Sequence, residues 1–213
     1  TDLQVAIAHK GFEWVEIETE GRAAHGSRPR EGRDAIRLMG RVLNELDQLD
    51  RTLQARTSHP LLGTASLHAS LIEGGRELSS YPDRCHLQME RRTIPGEAPG
   101  SAAREVEDIL ARLRAADPEF KAASRSMFAR SPYEIAASHE LPALMMKAAG
   151  VPSAIGMSFW TDAAVLGDAG IPSILYGPTG AGLHSIEEWV DARSVLACRD
   201  ALVELARTFT ANS

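Results

Sequence analysis

Cysteine is scarce in this chain: Cys85 and Cys198 are the only two in 213 residues. They stand far apart and each falls on an apolar periodic face, so buried free thiols are expected rather than a disulfide. Free thiols point to a reducing compartment, and a cytoplasmic setting is expected. No apolar run approaches the ~20 residues of a membrane helix, so no membrane partner is expected. The opening residues carry no secretory signal. A basic surplus is also missing: the formal net charge is -6, which argues against non-specific nucleic-acid binding. Basic residues cluster between Arg22 and Arg41, but acidic ones are interspersed, as on a solvated helix face. There are no repeats and no low-complexity segments. What is present is ordinary globular material, 44% hydrophobic and 24% charged, enough for one large or two small domains.

Periodicity organises the first part of the chain. Glu13-Trp-Val-Glu-Ile-Glu-Thr19 alternates polar and apolar residues, as a half-buried strand does. Ile36, Met39, Leu43 and Leu46, with Ala35, Val42 and Leu49 beside them, form a helical stripe. Residues 64–72 alternate again and stop at Gly74-Gly75. In the next strand Cys85, Leu87 and Met89 point one way, while His86, Gln88, Glu90 and Arg92 point the other. Ser101 is placed to cap a helix carrying Val106, Ile109, Leu110 and Leu113. Residues 120–128 read as a further strand. Strand, helix, strand, strand, helix, strand is the ferredoxin-like βαββαβ plan, expected over residues 10–135 as an α+β domain. Its two helices cover one sheet face. The other is solvated or meets a partner, in agreement with His68, His86 and Arg92.

Residues 136–213 read differently. Helices are expected over residues 141–149 and 162–169, then a buried strand at Ile171-Pro-Ser-Ile-Leu-Tyr176. A last helix carries Val195, Cys198, Leu202, Leu205 and Phe209, with Asp191 as its N-cap. This is α/β material, but with too few strands for a complete doubly wound domain.

Three stretches carry candidate chemistry. Gly177-Pro-Thr-Gly-Ala-Gly-Leu-His-Ser-Ile-Glu-Glu-Trp189 puts His184 on a glycine loop after a strand, where sites lie in α/β enzymes. A lone loop histidine is also often just a solvated surface residue. Ala23-Ala-His-Gly-Ser-Arg-Pro29 places His25 after the first strand, where by itself it reads as a turn histidine satisfied by backbone. Ser79-Ser-Tyr-Pro-Asp-Arg-Cys-His-Leu-Gln-Met-Glu-Arg-Arg-Thr-Ile-Pro-Gly-Glu97 places Arg92 on a polar sheet face, which by itself reads as a solvated face with a surface salt bridge. Arg91 points to the opposite face, where it must snorkel or pair.

Together and in this order, the three stretches resemble the co-catalytic zinc amidohydrolases: acetylornithine deacetylase, succinyl-diaminopimelate desuccinylase, aminoacylase and glutamate carboxypeptidase. The resemblance covers nearly the whole chain. It implies a dimerisation or lid domain at residues 10–135 and the C-terminal segment of an α/β zinc-binding domain at 136–213. It also implies that the rest of that domain precedes Thr1, and that Thr1-Asp-Leu-Gln follows an acidic metal ligand.

The resemblance further implies roles. His184 is the last ligand of a pair of zinc (or cobalt) ions. His25 crosses to the partner subunit of a homodimer and donates a hydrogen bond to the tetrahedral oxyanion. Arg92 grips a substrate carboxylate or the reacting carbonyl. Ser79, Thr161, Asp162 and Gly180 line the substrate site, although Thr161 and Asp162 equally suit capping of the helix that follows. Glu187 and Glu188 read as a polar rim. Ser79 stands where the family often has asparagine and Ala164 where some members have arginine, so no specific substrate is implied, and the loss of that arginine argues against a desuccinylase. The implied activity is hydrolysis of N-acyl amino acids or small peptides, with this chain alone inactive and unable to hold zinc tightly. The rival is a non-catalytic ferredoxin-like dimerisation or binding module.

Overall fold

From residue 11 to residue 20 buried and open positions alternate along the backbone, the mark of a strand with one face on a core. In chain order the elements are β1 (Ala6–His9), β2 (Gly11–Glu20), α1 (Ala35–Ala55), β3 (Ser66–Gly74), β4 (Arg84–Thr93), α2 (Ser101–Ala116) and β5 (Lys121–Arg130). There follow β6 (Tyr133–Glu134), α3 (Glu140–Ala149), β7 (Ile155–Met157), α4 (Ala163–Asp168), β8 (Gly180–Ala181), β9 (Trp189–Val190) and α5 (Ala192–Ala211). The computed structural model describes residues 1–56 and 58–211. The chain divides into two units, one of residues 11–59 and 63–131, the other of residues 1–10, 60–62 and 132–213.

The first unit is a four-stranded sheet in the order β3-β4-β2-β5, antiparallel at every pairing. With α1 and α2 on one face this is the ferredoxin-like arrangement. Val15, Ile17, Cys85, Leu87 and Met89 of the sheet meet Leu38, Met39, Val42 and Leu46 of α1 and Val106, Ile109 and Leu110 of α2. The Asp34 carboxylate accepts from Arg37 N–H at 2.9 Å and caps α1, satisfying one of the orphan donors of the first turn.

Two local expectations change. Ile36 is 45% exposed and Leu38 takes its place in the core. A helix that begins at Ala35 buries positions 35, 38, 39, 42 and 46 on one stripe, and Ile36 lies about 100° round the axis from Ala35. Ser101 is the first helical residue of α2 rather than its cap. The cap position is held by Gly100 in the left-handed region, with φ 71°, a conformation that suits glycine.

Arg91 lies on the helix side of β4 and its side chain is fully buried. Its guanidinium binds Glu97 at 2.6 Å and Glu105 at 3.1 Å. Burial acts against the charged form, but the hydrogen bonds that Arg91 donates to Glu97 and Glu105 outweigh it and raise the pKa. The predicted need to pair is met inside the fold.

In the second unit β1 is the centre of a three-stranded sheet, antiparallel to β6 and parallel to β7. Val5, Ile7, Ile135, Met145 and Ala201 form its core. The strand expected at residues 171–176 contracts to a single antiparallel bridge, Ala6 with Leu175. Pro172 has no N–H to give to a ladder. The Ser173 N–H goes instead to the Tyr133 hydroxyl at 2.8 Å, which in turn donates to the Ser173 carbonyl at 3.1 Å. Asp191 accepts from Arg193 N–H at 3.0 Å and starts α5, as expected. The stripe expected along α5 is only partly buried. Cys198 and Ala201 face the core, while Val195, Leu202 and Phe209 stay 42%, 44% and 37% exposed. A short sheet and one neighbouring helix, α3, cannot cover the whole apolar face of a helix this long. Both cysteines are free and buried. Among the described residues no helix is long and apolar enough to cross a membrane.

Candidate functional site

After β2 the chain turns at Gly21 and runs alongside residues 79–83. Gly21 N–H donates to Asp83 O at 2.8 Å, Tyr81 N–H to Ala24 O at 2.8 Å and Gly26 N–H to Ser79 O at 2.6 Å. A Cβ on Gly21 would stand 2.2 Å from Arg33 O, so only glycine permits this close approach. The result is an exposed corner that pairs His25 with Ser80 and sets Gly26 against Ser79.

The His25 ring is oriented by its own turn. Ser27 N–H donates to His25 Nδ1 at 3.2 Å, and the Ser27 hydroxyl lies 2.8 Å from the same nitrogen. A ring nitrogen that accepts from an amide carries no proton, so the neutral ring holds its hydrogen on Nε2. His25 therefore presents a donor outward.

Ser79 is engaged differently. Its N–H and hydroxyl both donate to Glu77 Oε2, at 2.8 and 2.6 Å. Hydrogen bonds from Ser79 and Ser80 hold the Glu77 carboxyl down to about 2. Glu77 carries no motif signal. Its only trace in the sequence is an acid two residues before a serine in a glycine-bounded turn.

Arg92 lies on the helix-free face of the sheet, as its place in the alternation predicts. Its Nε donates to Glu90 Oε1 at 2.6 Å, and the guanidinium carbon stands 5.4 Å above the centre of the Phe12 ring. The other oxygen of Glu90 accepts from the Trp14 indole N–H at 2.8 Å. Glu90 shares a strand face with Arg92 two residues away, and that period-two relation is the signal that marks it.

The chain does not bring His25 and Arg92 together. Phe12 faces Arg92 in the β2–β4 register, whereas His25 follows the other end of the ladder, where Glu20 faces Arg84. About eight residues of strand, roughly 26 Å, separate the two ends.

The remaining candidates belong to the other unit. The Thr161 hydroxyl accepts from Ala163 N–H at 3.3 Å and serves the start of α4. Asp162 occupies the cap position without a side-chain cap bond. Gly180 pairs with Val190, and a Cβ there would stand 2.4 Å from Trp189 O. It lines an open cleft of about 380 Å³ with Thr1, Asp2, Phe159, Leu183 and Trp189. His184 sits in the turn between β8 and β9, exposed, at φ 62°. It is on the glycine loop as expected, but the segment before that loop is a bridge rather than a strand. A non-glycine residue at such a φ costs ~1–3 kcal/mol and is often seen at functional sites. Glu187 and Glu188 are exposed beside it. Among the described residues no group of three or more His, Cys, Asp or Glu side chains is placed to hold a metal ion. His184 thus offers one accessible imidazole donor and not a complete ligand set.

The family model described as peptidase dimerisation domain matches residues 7–118. The chain is 26% identical to acetylornithine deacetylase of Myxococcus xanthus over 216 residues, covering 98% of this chain and 56% of that protein. It is also 26% identical to the N-formyl-4-amino-5-aminomethyl-2-methylpyrimidine deformylase of Bacillus subtilis, covering 86% of this chain and 50% of that protein. The chain therefore spans about half the length of these curated relatives. A tripeptidase from Staphylococcus aureus shares its fold at a TM-score of 0.75 and 16% identity, over 96% of this chain and 53% of that one. Aminopeptidase PepT from Bacillus cereus does so at a TM-score of 0.75 and 15% identity, over 96% and 54%.

Proposed function

The chain belongs to the peptidase dimerisation domain family, and on that premise we propose that it supplies the lid and the C-terminal catalytic segment of a metal-dependent amidohydrolase. Residues 10–135 are the dimerising lid and residues 136–213 the catalytic segment. The substrates are N-acyl amino acids or small peptides. The observation that carries this reading is the fixed His25 ring. An amide carbonyl under attack develops negative charge on oxygen, and a donor already aimed outward meets that charge without reorganising.

Two zinc or cobalt ions would lower the pKa of a bound water and share the oxyanion charge. His184 is the residue of this chain suited to hold one of them, because its imidazole is exposed and imidazole is a zinc ligand. In the homodimer His25 acts in the partner's site. Arg92 receives a substrate carboxylate on its Nη edge, since Nε is committed to Glu90. Ser79, Thr161, Asp162 and Gly180 border the substrate. The buried free thiols and the acidic net charge of -6 accord with a cytoplasmic enzyme that binds neither nucleic acid nor membrane.

The test is hydrolysis of N-acetyl amino acids and dipeptides by the full-length protein before and after zinc is removed by chelation. Loss of turnover on chelation and its return with zinc are expected. Metal-loaded full-length protein that cleaves neither class would overturn the reading in favour of a non-catalytic dimerisation module.

A further inference from the structure

The helix-free face of the four-stranded sheet carries an aromatic cluster beside Arg92. The rings of Phe12, Trp14 and Phe128 have centroids 5.3, 6.0 and 5.6 Å apart and are tilted by 38° to 41°. Trp14 is 44% exposed and Phe128 39%. Rings this large, left half open on the face away from the helices, are not needed for the core, which lies on the other side of the sheet.

Glu90 organises the cluster. One carboxylate oxygen takes the Trp14 indole N–H and the other takes Arg92 Nε, so a single side chain holds an indole and a guanidinium side by side. Next to Trp14 a groove of about 320 Å³ runs between Leu71 and Met127, with Gln88 and Met89 below. That is within the range of small-ligand pockets. Arg130 stands over Phe128 with its guanidinium carbon 4.1 Å from the ring centre. A guanidinium thus stands over each of two rings of the cluster, Arg92 over Phe12 and Arg130 over Phe128.

We infer that this surface selects substrates that carry an aromatic ring together with a carboxylate. The ring packs on Trp14 in the groove and the carboxylate meets the Nη edge of Arg92. A flat ring gains more here than an alkyl chain, because aromatic groups favour tilted and offset contacts with one another beyond the area they bury. The inference rests on the hydrolase reading for its setting, but the recognition itself is built from residues of this unit alone.

The experiment follows the Trp14 indole N–H and Arg92 Nε–H resonances of the 213-residue chain while one of three probes is added. N-acetylphenylalanine has ring and carboxylate, N-acetylalanine lacks the ring, and N-acetylphenethylamine lacks the carboxylate. Half-saturation by N-acetylphenylalanine is expected at a concentration about tenfold below either other probe. Trp14→Ala should bring N-acetylphenylalanine down to the level of N-acetylalanine. Phe128→Leu should weaken the ring preference about threefold, and it serves if the Trp14 variant does not fold. Equal half-saturation by all three probes overturns the inference. So do resonances that move with protein concentration and ignore the probes, because the surface is then an interface between proteins. The two readings fail separately. Full-length protein that hydrolyses N-acetylalanine and N-acetylphenylalanine with equal kcat/KM keeps the hydrolase and loses the ring site. Ring-selective binding without hydrolysis does the reverse.

Discussion

His25 and Arg92 belong to opposite ends of the β2–β4 ladder: Arg92 faces Phe12 near one end, and His25 follows the end where Glu20 faces Arg84. One lid cannot bring both to the same amide, because a span of roughly 26 Å of strand is several times the length of any side chain. A site that uses both draws them from different copies of the chain, which is what a dimerising lid permits.

The first prediction concerns His25. In the full-length protein His25→Ala should leave the metal content unchanged and lower kcat by ~10²–10³, the usual loss for one oxyanion donor. His25→Asn keeps a side-chain donor and should recover part of that loss. Metal analysis and steady-state kinetics check both. A raised KM with unchanged kcat would reassign His25 to substrate binding.

His184 should behave in the opposite way. His184→Ala should lower metal content, measured by elemental analysis after dialysis, and activity should fall in parallel. The isolated 213-residue chain should neither hold zinc tightly nor turn over substrate, since one imidazole makes neither a closed nor a catalytic site. Two zinc ions per chain, with turnover, would show that the ligand set is complete within it.

Assembly is the third test. β3 is an edge strand, paired on one side by β4 alone, and its Leu71 and Ile72 are 65% and 55% exposed. An open apolar edge is a liability unless another chain covers it. Sedimentation should show a dimer at tens of micromolar. Ile72→Lys should shift it to monomer, because a charge on such an edge opposes pairing.

Arg91 gives a stability prediction. Arg91→Ala leaves Glu97 and Glu105 facing each other without their shared cation, and urea unfolding should show a loss of about 3 kcal/mol. Arg91→Met, which fills the volume, combined with Gln at both acids, should recover most of it.

Glu77 supplies a pH dependence. Its carboxyl titrates at about 2 in the fold against 4.5 as the ordinary value, held down chiefly by the Ser79 hydroxyl. A depressed carboxyl contributes stability that is fully present above the unfolded value. That contribution is lost as pH falls from about 4.5 through about 2, because the unfolded chain takes up the proton first. Urea midpoints measured across that window should fall less steeply for Glu77→Gln than for the parent. Equal slopes would show that the Ser79 bonds do not hold in solution.

The ferredoxin-like unit was legible because burial on one sheet face imposes a period of two on strands and 3.6 on helices. Residues such as Val15, Leu87 and Val106 record that period directly. The same alternation separated Arg91 from Arg92 and sent them to opposite faces. Tertiary structure alone decided what each arginine met there. The partners of Arg91, Glu97 and Glu105, lie beyond the end of β4 and in α2, and no local pattern announces them.

Other outcomes turned on single competing bonds. The strand expected at residues 171–176 dissolved because Tyr133, about forty residues away, satisfied the Ser173 backbone. Ile36 left its stripe because the helix phase is set by what α1 packs against. The sequence by itself determined which residue types stood on which face of the lid, since periodicity is a property of neighbours along the chain. Only the tertiary structure decided that His25 pairs with Ser80 at one end of the sheet while Arg92, Glu90 and Trp14 gather at the other. Register between strands depends on long-range pairing, and a list of neighbours carries no record of it.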